Sequence, residues 1–353
     1  MKVTGASTGA AAFLVVVFLV PVIGSLSMRW KLFDLPGPLK THTQPIPRLG
    51  GIAIAGAILL GILLSGLAPS RACAALISAA GLIFAVGLLD DIRGTSPALR
   101  LVVQAAAGVA LWLGSGQFSI FGSLLLGLFF TVIIVVVFIN AMNLLDGSDG
   151  VAAGVAGIDA LSCAVLFAQS DDALVRSIAW SLAGACAGFL IFNLRAKIYL
   201  GDSGSTLLGL ALSFVAIESM RPRSTPASSP VFFLLAAGLP LLDAGIAVAR
   251  RLRLGRSPLQ GDRRHFYDLL RARGLGPRAV ALVCYGITGV LSVVAWATRN
   301  SPAASCLAAV LCMGALLAVE VRLGALRGDD DAARVRASPA RASRKELQIS
   351  FRP

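Results

Sequence analysis

Aspartates recur in three short strings of this sequence, each beside a long apolar run. The first string contains the adjacent pair Asp90 and Asp91. Two neighbouring carboxylates repel each other, so at least one needs a cation or a proton. If the preceding run is a helix, both also lie at the negative end of its dipole, where an acid costs stability. We therefore expect the pair to bind Mg²⁺ or to act on a phosphate. A solvated helix end is the alternative interpretation.

The second string has four polar residues spaced by three: Asn140, Asn143, Asp146 and Asp149. On a straight α-helix each three-residue step drifts by about 60°, so the first and last would point in opposite directions. A 3₁₀ turn or a break at Gly147 would return them to one side. We expect these carboxylates and amides to converge, as a nucleotide or metal site requires. The alternative is an ordinary turn rich in Asn, Asp and Gly.

The third string, Gly201-Asp202-Ser203-Gly204-Ser205, leads into another apolar run. Its glycines allow a tight turn, and a serine can cap the helix that follows. The exposed N–H groups of that helix would suit a phosphate, with Asp202 placed to bind the accompanying cation. The string also resembles a serine-hydrolase signature. However, Ser205 stands where the nucleophile elbow needs glycine, which disfavours a hydrolase.

Two basic segments each contain one of the two histidines. Lys40 and His42 lie in the first, and Arg263, Arg264 and His265 lie in the second. A lone histidine in a loop is usually just exposed to solvent. Arginine, however, binds phosphate through two parallel hydrogen bonds, so the second segment is a candidate phosphate site. A role in membrane topology alone is the alternative for these arginines.

The elements that must position these residues are membrane helices. The chain has 353 residues, of which 57% are hydrophobic and 14% charged, whereas soluble proteins average about 25% charged. Its apolar runs are continuous and approach the length that crosses a bilayer, which favours helices over a barrel. We expect an all-α, polytopic integral membrane protein with about eleven spans, near residues 8–27, 50–69, 73–89, 99–115, 118–139, 151–168, 177–193, 205–219, 230–249, 279–298 and 302–321.

We interpret the first span as an uncleaved helix, not a signal peptide, because it is longer than a usual signal core. The six cysteines lie in or beside apolar runs without a C-x-x-C pair, so they behave as small hydrophobes. Two acids, Asp159 and Asp243, fall within apolar runs, where a carboxylate costs about 2.5–3.5 kcal/mol. Each should be paired, protonated or directed into the bundle, and we expect Asp243 to border the site.

The distribution of basic residues predicts the orientation. Of the 31 lysines and arginines, 25 fall in alternate loops on one side and in the carboxyl-terminal segment, and 6 fall on the other side. The richer side is cytoplasmic by the positive-inside rule. We expect the amino terminus outside and the carboxyl terminus inside, with residues 1–323 in the membrane and 324–353 forming a disordered tail. Because the arginines flank spans, no nucleic-acid partner is expected.

Together these strings resemble the polyprenyl-phosphate N-acetylhexosamine-1-phosphate transferases, a superfamily that includes phospho-N-acetylmuramoyl-pentapeptide translocase. The likeness covers about residues 30–280 and consists of five ordered strings: K-x-H…P-x-P-R-x-G-G, D-D, N-A-x-N-x-x-D-G-x-D-G, F-N-x-x-A-K-x-Y-x-G-D-S-G-S, and P-x-x-D followed by D-R-x-H. The branch acting on N-acetylglucosamine is the closer match. The resemblance implies a multi-pass protein of the bacterial inner membrane whose active site faces the cytoplasm.

It also implies transfer of a sugar-1-phosphate from a UDP-sugar to undecaprenyl phosphate, releasing UMP, with Mg²⁺ or Mn²⁺, as the first step of a cell-envelope glycan. Asp90, Asp91 and His265 would be catalytic, with Asp202 and Asp91 as metal ligands. The substrates would be bound by Lys40, His42, Asn140, Asn143, Asp146, Asp149, Asn193, Arg263 and Arg264. The resemblance leaves a homodimer open.

The chain departs from the family pattern after His265. Many members of the related branch have H-x-H-H where this chain has His265-Phe266-Tyr267-Asp268. The departure concerns the choice of sugar more than the class of reaction. Two other hypotheses remain, namely a transporter of lipid-linked glycan and a catalytically silent scaffold derived from the enzyme.

Overall fold

The computed structural model describes residues 5–34, 45–66, 70–115, 117, 119, 122–168, 170, 172–220 and 229–327. Within these residues the chain forms thirteen helices and one two-stranded sheet. The helices are α1 (Gly5–Arg29), α2 (Gly51–Leu64), α3 (Arg71–Arg93), α4 (Pro97–Gly114), α5 (Leu124–Leu145), α6 (Val151–Leu166), α7 (Ala173–Asn193), α8 (Gly201–Ser219), α9 (Ser229–Ala236), α10 (Gly238–Arg253), α11 (Phe266–Arg271), α12 (Pro277–Thr298) and α13 (Pro302–Leu323); the strands are β1 (Phe33–Asp34) and β2 (Ile46–Pro47).

Every predicted span overlaps a helix, the ninth the pair α9 and α10, although the fifth helix begins and ends six residues later than predicted. Seven of the described helices are long and apolar enough to cross a membrane, or eight if that pair, which bends by 77°, is one span. The bend lies where Pro240 has no N–H to continue the α-helical hydrogen bonding. The all-α, polytopic membrane architecture is confirmed, while eleven crossings and their orientation stay predictions.

Helix α8 lies at the centre of the bundle, and nearly all of its residues are buried. Glycines on its neighbours allow close approach: a Cβ at Gly87 of α3 would lie 2.6 Å from the Cα of Ser203. On α8 itself, a Cβ at Gly209 would lie 2.5 Å from the Cα of Ile139 in α5. Small residues serve the same purpose in many membrane bundles. The start of α8 is thereby brought to the ends of α3 and α5.

Backbone hydrogen bonds join β2 and the residues after it to the turn before α8. The Gly50 N–H donates to the Tyr199 carbonyl at 3.0 Å, and the Gly51 N–H donates to the Leu200 carbonyl at 2.8 Å. In return, the Tyr199 N–H donates to the Pro47 carbonyl at 2.8 Å. These hydrogen bonds bring residues 47–51, which include Arg48, beside the third aspartate string.

Candidate active site

A cavity of about 440 Å³ opens where α5, α7, α8 and the segment before α11 end or begin. Six of the residues predicted to form the site line it: Asn143, Asp146, Asp149, Asn193, Asp202 and Arg263. Its other charged or hydroxyl-bearing lining residues are Asp34, Arg48, Ser148, Tyr199, Asp262, Tyr267, Asp268 and Arg271. The cavity therefore combines an acidic group of residues with arginines from separate parts of the chain.

Five predicted site residues lie beside this cavity without lining it: Asp90, Asp91, Asn140, Arg264 and His265. Lys40 and His42 fall outside the described residues. The roles assigned to all of these residues stay predictions. Their contacts, however, distinguish residues that face the cavity from residues that hold its walls.

Asp91 caps the amino terminus of α8 from the neighbouring helix. One carboxylate oxygen accepts from the Asp202 N–H at 2.8 Å, and the other accepts from the N–H and the hydroxyl of Ser203 at 3.0 and 2.7 Å. The residue before α8, Leu200, supplies no side-chain cap of its own. A carboxylate suits this position because the first N–H groups of a helix lack partners and carry partial positive charge. Asp91 thus positions the turn that carries Asp202.

Asp90, in contrast, contacts the α3–α4 connection as well as Asp202, whose carboxyl group lies within hydrogen-bonding distance of its own. Its carboxylate accepts from the backbone N–H and the hydroxyl of Thr95. It also pairs with Arg100 of α4, with a nitrogen–oxygen distance of 3.3 Å. Asp90 and Asp91 are therefore neighbours in the sequence whose carboxylates contact different groups.

Asp202 lies between two cavities. It lines the large cavity, where the Asn143 amide donates to its carboxylate at 2.6 Å and to the Ser205 hydroxyl at 3.0 Å. It also lines a small cavity between α3 and α4 whose walls include apolar side chains and Arg100. A carboxylate at this junction can act on groups arriving from both sides.

The second string converges only in part. Helix α5 continues to Leu145, so Asn140 remains on a straight helix and its amide donates to Gln104 of α4 at 2.6 Å. The break comes afterwards, and Gly150 has a φ of +78° that favours glycine. Asp146 and Asp149, which follow the end of α5, face the cavity, as does Asn143 in the last turn of that helix, whereas Asn140 does not.

The acidic wall is crowded. Burial and then the nearby carboxylates of Asp202, Asp91 and Asp149 raise the pKa of Asp146 well above its usual value. Such crowding is costly when every acid is ionised, and a cation in the cavity would relieve it.

Asn193 and Arg264 hold backbone segments. The Asn193 side chain accepts from the Gly150 N–H at 2.9 Å and donates to the Ile198 carbonyl at 2.8 Å. Arg264 donates to the Gly324 carbonyl at 3.0 Å, just after α13. This hydrogen bond holds residues 324–327 of the predicted tail against the segment before α11. Residues 328–353 lie outside the described chain.

The segment before α11 is fixed by an ion-pair network. Arg250 and Arg251 of α10 donate to the Asp262 carboxylate at 2.6–3.0 Å. Burial acts to raise the pKa of Asp262, but the hydrogen bonds from Arg251 and Arg250 leave it below its usual value. Asp262 stays ionised at neutral pH and holds this loop at the cavity edge. Arg263, the next residue, lines the cavity.

Comparisons with known proteins identify the family. Residues 73–220 match the family model described as glycosyl transferase family 4. The chain is 34% identical to the decaprenyl-phosphate N-acetylglucosaminephosphotransferase of Mycolicibacterium smegmatis, over 83% of this chain and 82% of that protein. The chain belongs to this transferase family. It is also 29% identical to the probable undecaprenyl-phosphate N-acetylglucosaminyl 1-phosphate transferase of Bacillus subtilis, over 82% and 84%. The corresponding figures for the undecaprenyl-phosphate alpha-N-acetylglucosaminyl 1-phosphate transferase of Escherichia coli K12 are 30%, 70% and 71%.

Several residues that line the cavity of this transferase are not among the site residues predicted from the sequence. Arg48 and Tyr199 are two of them, although both lie inside the motif strings. Tyr267 and Asp268, which depart from the family pattern, line the cavity, so the departure lies within the site. Arg271 follows them one helical turn later, and this spacing is the signal that would have found it.

Proposed function

We propose that this protein transfers N-acetylhexosamine-1-phosphate from a UDP-sugar to a polyprenyl phosphate and releases UMP, as the first step of a cell-envelope glycan. The observation that carries the proposal is the cavity with acids on one wall and Arg48, Arg263 and Arg271 around it. A nucleoside diphosphate-sugar needs cations for its phosphates, and arginine supplies them in a fixed geometry.

In this reaction an oxygen of the lipid phosphate attacks the phosphorus that carries the sugar. The bond from that phosphorus to the bridging oxygen breaks, and UMP leaves with the oxygen. Phosphoryl transfer depends mostly on positioning and charge neutralisation. The arginines bind phosphate oxygens, while the hydrogen bonds of Asp91 and Asn143 hold Asp202 at the junction of the two cavities.

We propose that the donor occupies the large cavity and that the lipid phosphate approaches from the α3–α4 side. The small cavity there has Ile83, Val86 and Val103 in its walls, together with Arg100. At about 20 Å³ this cavity is too small for the prenyl chain itself, but its guanidinium suits a phosphate, and its apolar rim suits the first carbons of the chain. Asp202 borders both cavities, so the two substrates would meet beside it.

The residues present fit Mg²⁺ as the cofactor. Among the described residues, no three side chains of Asp, Glu, His or Cys form a complete metal cage. Mg²⁺ does not need one, since it is commonly held by one or two carboxylates, water and substrate phosphates. Asp202, with Asp146 and Asp149 on the same wall, would hold it. When bound, Mg²⁺ would neutralise charge on the transferred phosphate.

We propose that this end of the bundle faces the cytoplasm of a bacterial inner membrane. The helix ends around the cavity belong to the side that holds 25 of the 31 basic residues, which the positive-inside rule makes cytoplasmic. UDP-sugars are expected on that side. In a chain whose exposed Cys306 is replaced by serine, a cysteine introduced at exposed Arg195 should therefore react with an impermeant thiol reagent only in inverted vesicles.

The function is tested with purified protein, Mg²⁺, undecaprenyl phosphate and a panel of UDP-sugars, with mass detection of the lipid. We expect a lipid-linked sugar diphosphate and one UMP per lipid product, from a donor carrying an N-acetylhexosamine. Absence of product with every donor would reject the proposal and favour the silent scaffold. Glycan transport that survives both Asp90→Asn and Asp202→Asn would favour the transporter.

A further inference from the structure

Asp243 is a buried acid whose carboxylate has two separate hydrogen-bond donors. It lies in α10, is 3% exposed, and accepts from the His265 Nδ1 at 2.7 Å and from the Phe266 N–H at 2.8 Å. His265 is 2% exposed and immediately precedes α11. One carboxylate therefore holds both the imidazole and the first N–H of the short helix.

Helix α11 depends on such anchors. It has six residues, fewer than an isolated helix needs to be stable in water. Three of its residues, Tyr267, Asp268 and Arg271, line the large cavity. A shift of its first turn would displace all three, so the Phe266 hydrogen bond contributes to the shape of the cavity.

The imidazole itself connects Asp243 to cavity residues. Its ring stacks on Tyr267, with centroids 5.8 Å apart and an interplanar angle of 14°. Its Nε2 faces the carboxylate of Asp262 at 3.5 Å. Both neighbours line the cavity although His265 does not. The ring thus acts on the site through residues that it contacts.

We propose that Asp243 is a positioning residue: it keeps the proton of His265 on Nδ1 and anchors α11, thereby placing Tyr267, Asp268 and Arg271 around the donor sugar-phosphate. A carboxylate can only accept at this position, so Nδ1 must be the donor. Carboxylate partners of functional histidines commonly fix the tautomer and ring orientation in this way. The kinetic part of the inference rests on the proposed transferase function.

Two substitutions of Asp243 distinguish the effects of its two hydrogen bonds. In Asp243→Asn the amide oxygen can still accept from Phe266, while the amide N–H₂ faces Nδ1 and moves the ring proton to Nε2. We expect the KM for the UDP-sugar to stay within about 3-fold and kcat to fall roughly 10- to 100-fold. Asp243→Ala removes both hydrogen bonds, so the KM for the UDP-sugar should also rise, by about 10-fold. The KM for the lipid phosphate should change in neither variant.

The matched control is Asp159→Asn. Asp159 is another acid buried in an apolar helix, 1% exposed, and its carboxylate has no hydrogen-bond partner among the residues that the structure describes. Its replacement should leave kcat and both KM values unchanged. If Asp243 had only a structural role, kcat per folded molecule and both KM values would stay at the wild-type level in Asp243→Asn, and that outcome would overturn the proposal.

A spectroscopic readout is independent of activity. The chain has only two histidines, so ¹⁵N-histidine labelling gives two ring systems, and His265→Asn assigns them. The wild-type His265 should show a protonated Nδ1, and Asp243→Asn should show a bare Nδ1 with a protonated Nε2. A bare Nδ1 in the wild type would overturn the proposal even if Asp243 variants fail to fold. The same spectra remain decisive if no UDP-sugar is a substrate, so failure of the proposed function is distinguishable.

Discussion

Replacing Asp91 with alanine removes the cap of α8 and should destabilise the bundle. Three hydrogen bonds disappear, and two of their donors are backbone N–H groups in the first turn of a buried helix. A buried donor left without a partner costs about 1–3 kcal/mol, so we expect the free energy of unfolding to fall by about 2–4 kcal/mol. Asp91→Asn should have a smaller effect, because its amide oxygen still accepts.

Asp90→Ala is the matched control, since it removes an adjacent residue of the same type. It loses hydrogen bonds within the α3–α4 connection, its contact with the Asp202 carboxyl group, and an ion pair with Arg100, in which the Arg100 side chain is 31% and the Asp90 side chain 9% exposed. Such a pair contributes about 0–1 kcal/mol. We therefore expect Asp90→Ala to unfold at a temperature between those of the wild type and Asp91→Ala.

Thermal unfolding in detergent can be followed with a thiol-reactive dye. Four cysteines are buried in the folded protein and become reactive on unfolding, namely Cys73, Cys163, Cys186 and Cys284, while exposed Cys306 gives a constant baseline. The midpoint should fall by several degrees in Asp91→Ala. An unchanged midpoint, or a larger fall in Asp90→Ala, would refute the capping role.

Three further predictions concern the metal, the donor and the packing. In the wild type Mg²⁺ should raise the unfolding temperature, and Asp202→Asn should abolish both this rise and turnover; retention of the rise in Asp202→Asn would contradict the metal assignment. Arg271→Ala should raise the KM for the UDP-sugar by about 10-fold, as expected for loss of a charged contact, whereas Arg299→Ala, stacked on Trp296, should leave that KM unchanged. Gly184→Ala should cost about 1–3 kcal/mol through overpacking, because its Cβ would lie 2.0 Å from a carbonyl oxygen of α1, while Gly314→Ala meets nothing within 4 Å and should not destabilise. Equal midpoints for the two glycine variants would contradict the α1–α7 packing.

The helices could be predicted from the sequence because a bilayer imposes long apolar runs. Each of the predicted spans overlaps a helix. The 77° bend of the ninth was not predicted, although the missing N–H of Pro240 explains it. The number of crossings is harder to predict. Helices α2 and α6 have only 14 and 16 residues, and α8 is buried by the protein itself.

The direction of side chains could not be predicted from spacing alone. Asp90 and Asp91 are adjacent and identical, yet only tertiary contacts show that one joins Thr95 and Arg100 while the other caps α8. Asn140 likewise belongs to the three-residue pattern but remains on a straight helix. The sequence shows which residue types are present, whereas the positions at which helices and strands end determine which side chains come into contact.

Contacts between residues far apart in the chain also could not be predicted from the sequence. Asp34 lies in the cavity because β1 pairs with β2, and Arg48 follows directly after that strand. The pairing of Asp243 with His265 depends on how α10 and α11 pack. From the sequence alone, Asp243 is an acid whose burial in an apolar run is energetically costly and which is expected to border the site.

We propose that a sugar-phosphate, and not a sugar alone, moves to the lipid. UDP-N-acetylglucosamine labelled with ³²P in either the α- or the β-phosphate tests it directly in the purified protein with undecaprenyl phosphate and Mg²⁺. We expect β-label in the lipid fraction and α-label in UMP. Recovery of both labels in UDP, with unlabelled sugar on the lipid, would contradict the account.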